Sequence, residues 1–383
     1  MSVQAETIRD AEGLAALPAD EWDALVRAQP RPSPFMLHGW LAEWARHYAH
    51  IGELEVHVAR RDGKLVAALP LIVQRKGALR LLRFLGTTQS ALGDLLVLEA
   101  GDREAADAVV APLKSSRYDL ADLFGLTAQN ALARALPTSQ LRLIERVEAP
   151  VLDLSAGWDA VYAEKTGSKK RNLHRRRRRQ LSELGTLETE LARTPEDLAR
   201  ALEDAFTLHE LRWAGRPDLS QFVTPVGKEF HRAALRRLAE QDIPRIVTLR
   251  LDGRAIAFHY YFMFDNRMYV HRLAFDPELA RFSPGLVNTL DALEAASAEG
   301  AQLVEYLGGD ERYKLELSDR FEPLYQGLGI ARTPQGHAVA AGRVAAIHAR
   351  LRLKRSARVR RLYVDGLAPA RQALERLRAT TSR

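Results

Sequence analysis

The 383-residue chain contains no cysteine, and this absence removes several classes of site at once. Disulfide bonds, thiolate metal sites and cysteine nucleophiles are all excluded. The histidines show no spacing, with a second histidine or an acidic cluster, that is typical of a metal site, so we expect no metal. A Gly-x-Ser-x-Gly nucleophile elbow and a Walker-type phosphate loop are also absent from the sequence.

Long apolar runs are missing as well. No stretch approaches the ~20 apolar residues that are needed to cross a bilayer. The opening residues, MSVQAETIRD, lack the apolar run of a signal peptide, so we expect a cytoplasmic protein. Apolar residues make up 46% and charged residues 27% of the chain, which is typical of a soluble globular protein. The length predicts two domains.

Positive charge exceeds negative charge, with a formal net charge of +7. The excess is concentrated in two segments, residues 168–179 and 343–361, which each hold eight Lys or Arg residues. No Asp or Glu occurs from residue 323 to residue 364. This distribution favours anionic partners. We expect an anionic small-molecule substrate, with tRNA as a second candidate partner.

An internal repeat is the most informative feature. Residues 54–86 (LEVHVARRDGKLVAALPLIVQRKGALRLLRFLG) and 243–275 (IPRIVTLRLDGRAIAFHYYFMFDNRMYVHRLAF) each read as three strands joined by tight turns. Both contain an Asp-Gly pair between β-branched or aromatic runs, which is a strong hairpin signal because both turn residues need positive φ. We expect a duplicated domain; the alternative is two unrelated hairpins that share a common turn.

The elements around the repeat predict an α+β fold. Each meander follows a helical pattern, and the second is followed by a helix that starts at Ser283-Pro284 and by the strand QLVEYLG. We expect an N-terminal domain over 1–149, a C-terminal domain over 150–332 and a basic helical tail over 333–383.

The run SKKRNLHRRRRRQLSELG, residues 168–185, predicts a helix with Ser168 as N-cap and Gly185 just past its end. Four residues form its narrow apolar stripe: Leu173, Gln180, Leu181 and Leu184. Arg177 falls inside this stripe. Since a buried unpaired charge is costly, we expect Arg177 to contact a buried carboxylate or a substrate phosphate.

Five segments in order resemble the CelD/BcsL-type branch of GNAT-superfamily acyltransferases, which is distantly similar to the Fem-type aminoacyl-tRNA-dependent transferases. They are KKRNLHRRRRRQLSELG, LHELRW (208–213), DGRAIAFHYYF, FSPG (282–285) and EYLGGDERYK (305–314). The resemblance implies tandem GNAT-like domains, each a mixed, mostly antiparallel sheet flanked by helices, the first copy being degenerate. It also implies acyl transfer to an amine or hydroxyl, but it does not imply a substrate. We expect acyl-CoA, and acetyl-CoA in particular, as donor. The usual GNAT phosphate loop is glycine-rich, whereas here only Gly285 is present.

The helix start in ARFSPGLVN is a candidate anion site, because its first N–H groups lack partners and the helix dipole favours negative charge. We assign four residues to the donor pyrophosphate: Arg281, Ser283, Pro284 and Gly285. The alternative is an ordinary capped helix.

The segment YLGGDERYK supplies the candidate catalytic residues. Acyl transfer to an amine needs a base and an acid, and a cation can offset charge on the developing oxyanion. Glu305 or Asp310 is the candidate base, Tyr313 the candidate acid and Lys314 the candidate cation. The alternative is a charged, solvated loop.

Polar side chains on three predicted elements could line an acceptor pocket. His259 and Tyr261 alternate with aromatic residues on one strand, and His271 lies on the next. His209 and Arg212 belong to the preceding helix. Together with Arg177 they form the expected substrate-binding set; a core face with hydrogen-bonded polar tips is the alternative.

We therefore expect an N- or O-acyltransferase that moves an acyl group from acyl-CoA to a polar small molecule or cell-envelope precursor. One alternative is a Fem-type transferase that uses aminoacyl-tRNA, because the basic segments suit a phosphate backbone. Another is a nucleic-acid-binding protein on an inactive GNAT scaffold. The basic run contains no interleaved aromatic residues for base stacking, which disfavours this last alternative.

Overall fold

The computed structural model of the chain describes residues 2–136, 140–213, 220–308 and 312–355. The elements up to residue 153 are β1 (Gln4–Ile8), α1 (Ala11–Ala15), α2 (Ala19–Arg27), α3 (His38–Tyr48), β2 (Gly52–Arg61), β3 (Lys64–Lys76), β4 (Leu79–Phe84), β5 (Leu96–Val97), α4 (Arg103–Val110), β6 (Leu120–Leu126), α5 (Ala131–Ala135) and β7 (Leu141–Asp153). The later elements are α6 (Trp158–Lys165), α7 (Ser168–Ser182), β8 (Leu187–Ala192), α8 (Pro195–Arg212), α9 (Pro225–Ala239), β9 (Pro244–Leu251), β10 (Arg254–Phe264), β11 (Arg267–Phe275), α10 (Pro284–Ala298), β12 (Leu303–Glu305), α11 (Arg312–Glu316), β13 (Arg320–Gly329) and α12 (Pro334–Arg355).

The strands of the described residues form one mixed sheet. Its order is β1-β2-β3-β4-β6-β13-β7-β12-β11-β10-β9-β8, and the short β5 pairs with β3. Two neighbouring pairs, β4 with β6 and β11 with β12, are parallel, and the remaining pairs are antiparallel. Helices cover both faces, so the expected α+β class and the mixed, mostly antiparallel sheet are confirmed.

The expected repeat is present in the topology. The strands β2, β3 and β4 form an antiparallel meander, as do β9, β10 and β11. Each meander is followed by a helix, α4 or α10, and then by a strand parallel to the last one, β6 or β12. The Asp-Gly turns have positive φ at both residues, 55° and 82° at Asp62 and Gly63 and 50° and 77° at Asp252 and Gly253, as a two-residue hairpin requires.

The two halves exchange their last strands. β7 follows the first half in sequence but pairs with β12 of the second, whereas β13 pairs with β6 of the first, and β7 and β13 pair with each other. The expected boundary at 149–150 falls inside β7, where Pro150 pairs with Phe321. The halves are therefore parts of one continuous sheet.

The largest hydrophobic cluster lies on one face of the sheet and joins both halves. Trp40 of α3 packs edge-on against Phe230 of α9 and Phe262 of β10, with ring centroids 4.7 and 5.5 Å apart. Each fully buried ring of this kind stabilises the fold by roughly 1.5–3 kcal/mol. The opposite face carries separate clusters under α4 and α5 in the first half and under α10 in the second.

The basic run forms α7, as predicted, but its details differ. Gly167 rather than Ser168 is the N-cap. Leu181 is fully buried, whereas Leu173 and Leu184 are 44% and 45% exposed, so the predicted stripe was wrong for these two leucines. With eight basic residues the helix has too weak an apolar face to fix its own register, and its packing on α10 decides the orientation.

The first expected helix of the basic tail is α12, which packs on β13 and β6. The second expected tail segment, APARQALERLRA, lies outside the described residues. In the described parts of the chain, no helix is both long and apolar enough to cross a membrane.

Candidate functional site

The parallel strands β11 and β12 separate after three paired residues. Their pairing runs only from Arg267 with Leu303 to Tyr269 with Glu305, although β11 continues to Phe275. A cavity of about 400 Å³ opens between the diverging segments. Backbone groups on this edge of β11 therefore face the cavity instead of a neighbouring strand, which leaves them available to a ligand.

A β-bulge in β11 orients the side chains at this point. On β10, Tyr261 pairs with Val270 and Tyr260 with Arg272, so His271 is the extra residue. His271 packs against the Trp40 ring, with centroids 5.5 Å apart, and Arg272 reaches the same side of the sheet. Strict alternation would have separated these two side chains, and bulges commonly re-aim side chains in this way next to active sites.

The cavity brings together residues from both halves. It is lined by Thr88, Gln89, Ser90, Ala91, Phe124, His209, Arg212, Trp213, Val270, His271, Arg272, Leu273, Tyr306, Leu307, Gly308 and Lys314. Four of the residues predicted from the sequence are among them: His209, Arg212, His271 and Lys314. Arg212 Nη1 donates to the Leu273 carbonyl at 2.9 Å and so binds one of the open backbone groups of β11.

Gln89, from the first half, is the centre of a polar network at the inner wall. Its Nε2 donates to the Tyr48 hydroxyl at 2.9 Å and to the Gln221 carbonyl at 3.2 Å. Its Oε1 lies 3.2 Å from His231 Nε2 and accepts from Arg272 Nη2 at 3.5 Å. Since Gln89 is only 2% exposed, these contacts fix the position of the two halves at the cavity.

The protonation states around the cavity follow from burial and from Arg272. Burial lowers the pKa of Arg272 to about 10, so the guanidinium remains charged at neutral pH. Burial, together with this charge, lowers the pKa of His209 to about 3 and the pKa values of His231 and His271 well below their usual value. The three imidazoles are therefore neutral near pH 7.

Lys314 and Tyr313 lie on α11 beside the cavity. Lys314 Nζ donates to the Gly308 carbonyl at 2.7 Å, and this contact holds the chain that follows β12. The Tyr313 ring meets the ring of Tyr306, a cavity residue, edge-on at 6.2 Å. Asp310, the other candidate base, lies outside the described residues.

The start of α10 has an unusual conformation. Ser283 adopts the left-handed region, with φ 57° and ψ 50°, and its side chain makes no capping hydrogen bond. Pro284 begins the helix as expected, and Gly285 packs so closely that a Cβ there would lie 2.7 Å from Phe275 Cδ1. Left-handed non-glycine residues cost of order 1–3 kcal/mol and cluster at ligand sites.

The segment that leads into α10 is held by the basic helix. Arg177 is half-buried, and its Nη1 donates to the Arg281 carbonyl at 2.5 Å. Arg177 was expected to contact a buried carboxylate or a substrate phosphate; in the structure its partner is instead a backbone carbonyl, which is enough for a guanidinium that is only half-buried. The Arg281 guanidinium itself lies over the Phe282 ring, 4.5 Å from its centroid.

Glu305 does not line the cavity. Its side chain is fully buried, and its oxygens accept from Arg31 at 2.5 and 3.0 Å and from Arg267 at 3.0 Å. These contacts favour a structural role, because they tie β12 to the segment before α3.

His259 and Tyr261 also lie away from the cavity. Both are fully buried on the face of the sheet that packs under α10 and α6. Burial, with the nearby charge of Lys314, lowers the pKa of His259 to about 3, so its ring is neutral. Both side chains thus lie in a core face, but their polar tips, the two His259 ring nitrogens and the Tyr261 hydroxyl, have no hydrogen-bond partner among the described residues, unlike the alternative expected from the sequence.

Three residues of the cavity network were not identified from the sequence: Gln89, His231 and Arg272. For Arg272, the sequence does contain an indication. An arginine inside the aromatic strand MYVHRLAF is unusual, because charged side chains are rarely buried unless they are paired. Gln89 and His231 contact residues that are far away in the sequence, so no local sequence pattern predicts their place in the network.

The first half repeats the diverging parallel pair, between β4 and β6, with a cavity of about 480 Å³. There, Asp122 is paired with Arg83 and Arg343, and α12 forms one wall. Residues of β13 and α12 thus line the cavity of the first half. Among the described residues, no cluster of three or more His, Asp or Glu side chains is arranged to hold a metal ion.

Residues 168–315 match the family model of the acetyltransferase (GNAT) domain, Acetyltransf_6. This segment contains α7, the second meander, the start of α10 and the diverging strands. No curated protein sequence matches the chain significantly.

Solved structures share the fold over most of the chain. FemX covers 84% of this chain and 96% of its own, with 12% identity and a TM-score of 0.54. L-PGS from Bacillus licheniformis covers 85% and 96%, with 12% identity and a TM-score of 0.54. A C-terminal DUF2156 domain from Agrobacterium fabrum covers 88% and 97%, with 13% identity and a TM-score of 0.53. At these identities the likeness concerns the fold alone.

Proposed function

We propose that the protein is an N- or O-acyltransferase that uses an acyl thioester of coenzyme A, acetyl-CoA in particular, as donor. The observation that carries this proposal is the divergence of β11 and β12, within the segment that matches the GNAT domain. The open backbone edge of β11 offers N–H groups to the carbonyl of an acyl group that enters the cavity. Such fixed donors stabilise the negative charge that develops on this oxygen.

The start of α10 suits the pyrophosphate of the donor. α10 packs on the face of the sheet opposite α8 and α9, as its separate hydrophobic cluster indicates. The N–H groups of Leu286 and Val287 donate to the Ser283 carbonyl, and Pro284 has no N–H, so the Gly285 N–H is the open donor of this first turn. This donor and the helix dipole favour an anion. A donor held there would reach the cavity from the α10 face, while an acceptor would approach from the α8 and α9 face.

In the proposed reaction, the acceptor nitrogen or oxygen attacks the acyl carbonyl, the C–S bond breaks and coenzyme A leaves as a thiol. The acceptor loses one proton and the departing sulfur gains one. Lys314, at the rim of the cavity, can offset negative charge, and Tyr313 is the candidate proton donor. Tyr313→Phe should lower turnover while the melting temperature stays within a few degrees. Lys314→Ala should also lower turnover, with some loss of stability because its bond to the Gly308 carbonyl is removed.

Thiol release tests this function directly. Because the chain has no cysteine, a thiol-reactive dye reports free coenzyme A without a background from the protein. We expect thiol release from acetyl-CoA to depend on an added amine or hydroxyl acceptor, with a panel that includes amino sugars and amino acids. Absence of release with every acyl-CoA and acceptor in the panel would count against the proposal.

A second candidate is a Fem-type transferase that takes its acyl group from aminoacyl-tRNA. The exposed arginines of α7, Arg175, Arg176 and Arg179, favour this candidate, since they can bind a phosphate backbone. Replacing all three with Gln should reduce the salt dependence of tRNA binding if tRNA is the donor. Transfer of a labelled aminoacyl group from tRNA, without transfer from acetyl-CoA, would select this candidate. RNA binding without either transfer would indicate an inactive scaffold.

A further inference from the structure

Arg272 is a cation on the inner wall of the cavity, and no carboxylate among the described residues pairs with it. Its Nη1 donates to the neighbouring His271 carbonyl at 2.9 Å, and its Nη2 makes the long contact with Gln89. A guanidinium has five N–H groups arranged to hold an oxyanion with two parallel bonds. Most of these N–H groups of Arg272 donate to no acceptor among the described residues.

The surroundings of Arg272 supply no compensating charge. Among the described residues, no Asp or Glu lines the cavity, whereas Arg212 adds a second cation at its rim. The nearest titratable groups are neutral: His209 from α8, His231 from α9, and His271 and Tyr260 from the sheet, with Tyr48 from α3. Arg272 is only partly accessible and has no counter-charge among the described residues, so its position on the cavity wall suits an anion that enters from outside.

In and behind this wall are several polar atoms that have no hydrogen-bond partner among the described residues. They are His209 Nδ1, His231 Nδ1, His271 Nε2 and the Tyr260 hydroxyl oxygen, and each is buried. Buried polar groups in proteins are nearly always hydrogen-bonded, and a group of unsatisfied atoms around one cation marks a place where a polar ligand is expected. The β-bulge at His271 directs Arg272 to this wall rather than to the α10 face.

We propose that this wall binds the oxyanion of the acyl acceptor, a carboxylate or a phosphate, and that Arg272 is the residue that holds it. The inference rests on the proposed function, because it treats the bound molecule as an acceptor that enters from the α8 and α9 face. It narrows the acceptor to an amine or alcohol that carries a negative group. His209 and His271, which line the cavity, are the imidazoles placed to act as further hydrogen-bonding partners of the anion.

Anion binding can be measured without any acyl donor, so its outcome is separate from that of the thiol-release assay. Thermal unfolding of the full chain is followed with sodium phosphate, with sodium acetate, and with sodium chloride at matched ionic strength and pH. We expect phosphate or acetate, but not chloride, to raise the melting temperature with a saturable concentration dependence. The anion that raises the melting temperature at the lower concentration, phosphate or acetate, shows whether the bound group is a phosphate or a carboxylate.

Three variants assign the effect to Arg272. Arg272→Met should weaken the anion response about tenfold or more, and it should raise the melting temperature of the protein without anion, because an uncompensated charge is removed. Arg272→Lys keeps the charge but not the two-bonded geometry and should bind the anion several-fold more weakly. The control, Arg236→Met, removes an exposed arginine of α9 and should respond like the parent.

The proposal is overturned if the parent shows no response beyond that of chloride. It is also overturned if Arg272→Met or Arg272→Lys binds phosphate or acetate as tightly as the parent. If Arg272→Met does not fold, the comparison of Arg272→Lys with the parent decides. An anion response that depends on Arg272, combined with no thiol release, would retain this site and reject the acyl-transfer function.

Discussion

Gln89 Oε1 accepts a hydrogen bond from Arg272 Nη2 at 3.5 Å, and this contact joins the two halves of the chain inside the cavity. Gln89 belongs to the segment after the first meander, and Arg272 to the last strand of the second. The candidate site is therefore formed by both copies of the repeat, although the match to the GNAT domain covers only residues 168–315.

Replacing Gln89 with Leu should destabilise the protein. The change removes the partner of His231, Tyr48 and Arg272 and leaves buried polar groups unsatisfied, at a cost of about 1–3 kcal/mol. Urea unfolding measures this free energy. Gln302→Leu, at an exposed position, is the control and should change stability by no more than about 0.5 kcal/mol. Equal stability of the two variants would mean that the network contributes nothing.

Glu305→Gln tests whether Glu305 is a structural or a catalytic group. Removing the charge leaves Arg31 and Arg267 without their buried partner, so we predict a loss of about 3–5 kcal/mol in the free energy of unfolding. Glu322→Gln removes a more exposed partner of Arg31 and should cost less than about 1 kcal/mol. An unchanged stability of Glu305→Gln, with loss of thiol release, would instead identify Glu305 as a catalytic base.

Stability should fall as the pH is lowered below about 6.5. His209, His231 and His271 are neutral in the folded protein because burial, together with Arg272, lowers their pKa values, whereas the unfolded chain binds protons below about 6.5. The free energy of unfolding should then decrease by up to about 1.4 kcal/mol per pH unit for each histidine, and for His209 this continues down to about pH 3.

The pH effect can be assigned with single variants. His231→Gln should reduce the slope of unfolding free energy against pH by about one proton, as measured by urea unfolding at pH 7, 6 and 5. His50→Gln removes an exposed imidazole and serves as the control. If His231→Gln and the parent have the same slope, His231 takes up a proton in the folded state, contrary to our interpretation.

Gly285→Ala should weaken donor binding. The added Cβ would lie 2.7 Å from Phe275 Cδ1, so either the Phe275 ring or the first turn of α10 must shift, at a cost of about 1–3 kcal/mol. Gly342→Ala, in α12, meets open space and is the matched control. The dissociation constant of coenzyme A, from calorimetric titration, should rise for Gly285→Ala alone. An equal affinity in both variants would remove the start of α10 from the donor site.

The sequence allowed the local elements of this fold to be predicted. The meanders and their Asp-Gly turns depend on residues a few positions apart, and so does the helix start at Ser283-Pro284. The exchange of β7 and β13 depends on pairing between residues far apart in the sequence, as with Asp153 and Leu303 or Pro150 and Phe321, and no local pattern carries that information.

The candidate site could be predicted only in part. His209, Arg212 and Lys314 belong to motifs of the resemblance, and His271 was expected from strand alternation; all four line the cavity. Arg272 was missed because strict strand alternation takes no account of a bulge. His259 and Tyr261 were expected at the site because their polar atoms suggest a ligand, but the packing of α10 over that face buries them.

Titration of coenzyme A against a variant with a filled cavity tests the proposed donor site most directly. Leu273 lines the cavity from β11, and Leu273→Trp should fill the space between the diverging strands. Leu98→Trp, at a position that is 39% exposed, is the control. We predict saturable binding of one coenzyme A per chain to the parent and to Leu98→Trp, and an affinity at least about tenfold lower, more than about 1.4 kcal/mol, for Leu273→Trp. Absence of saturable binding to the parent, or equal affinity in the filled variant, would contradict an acyl-CoA site between β11 and β12.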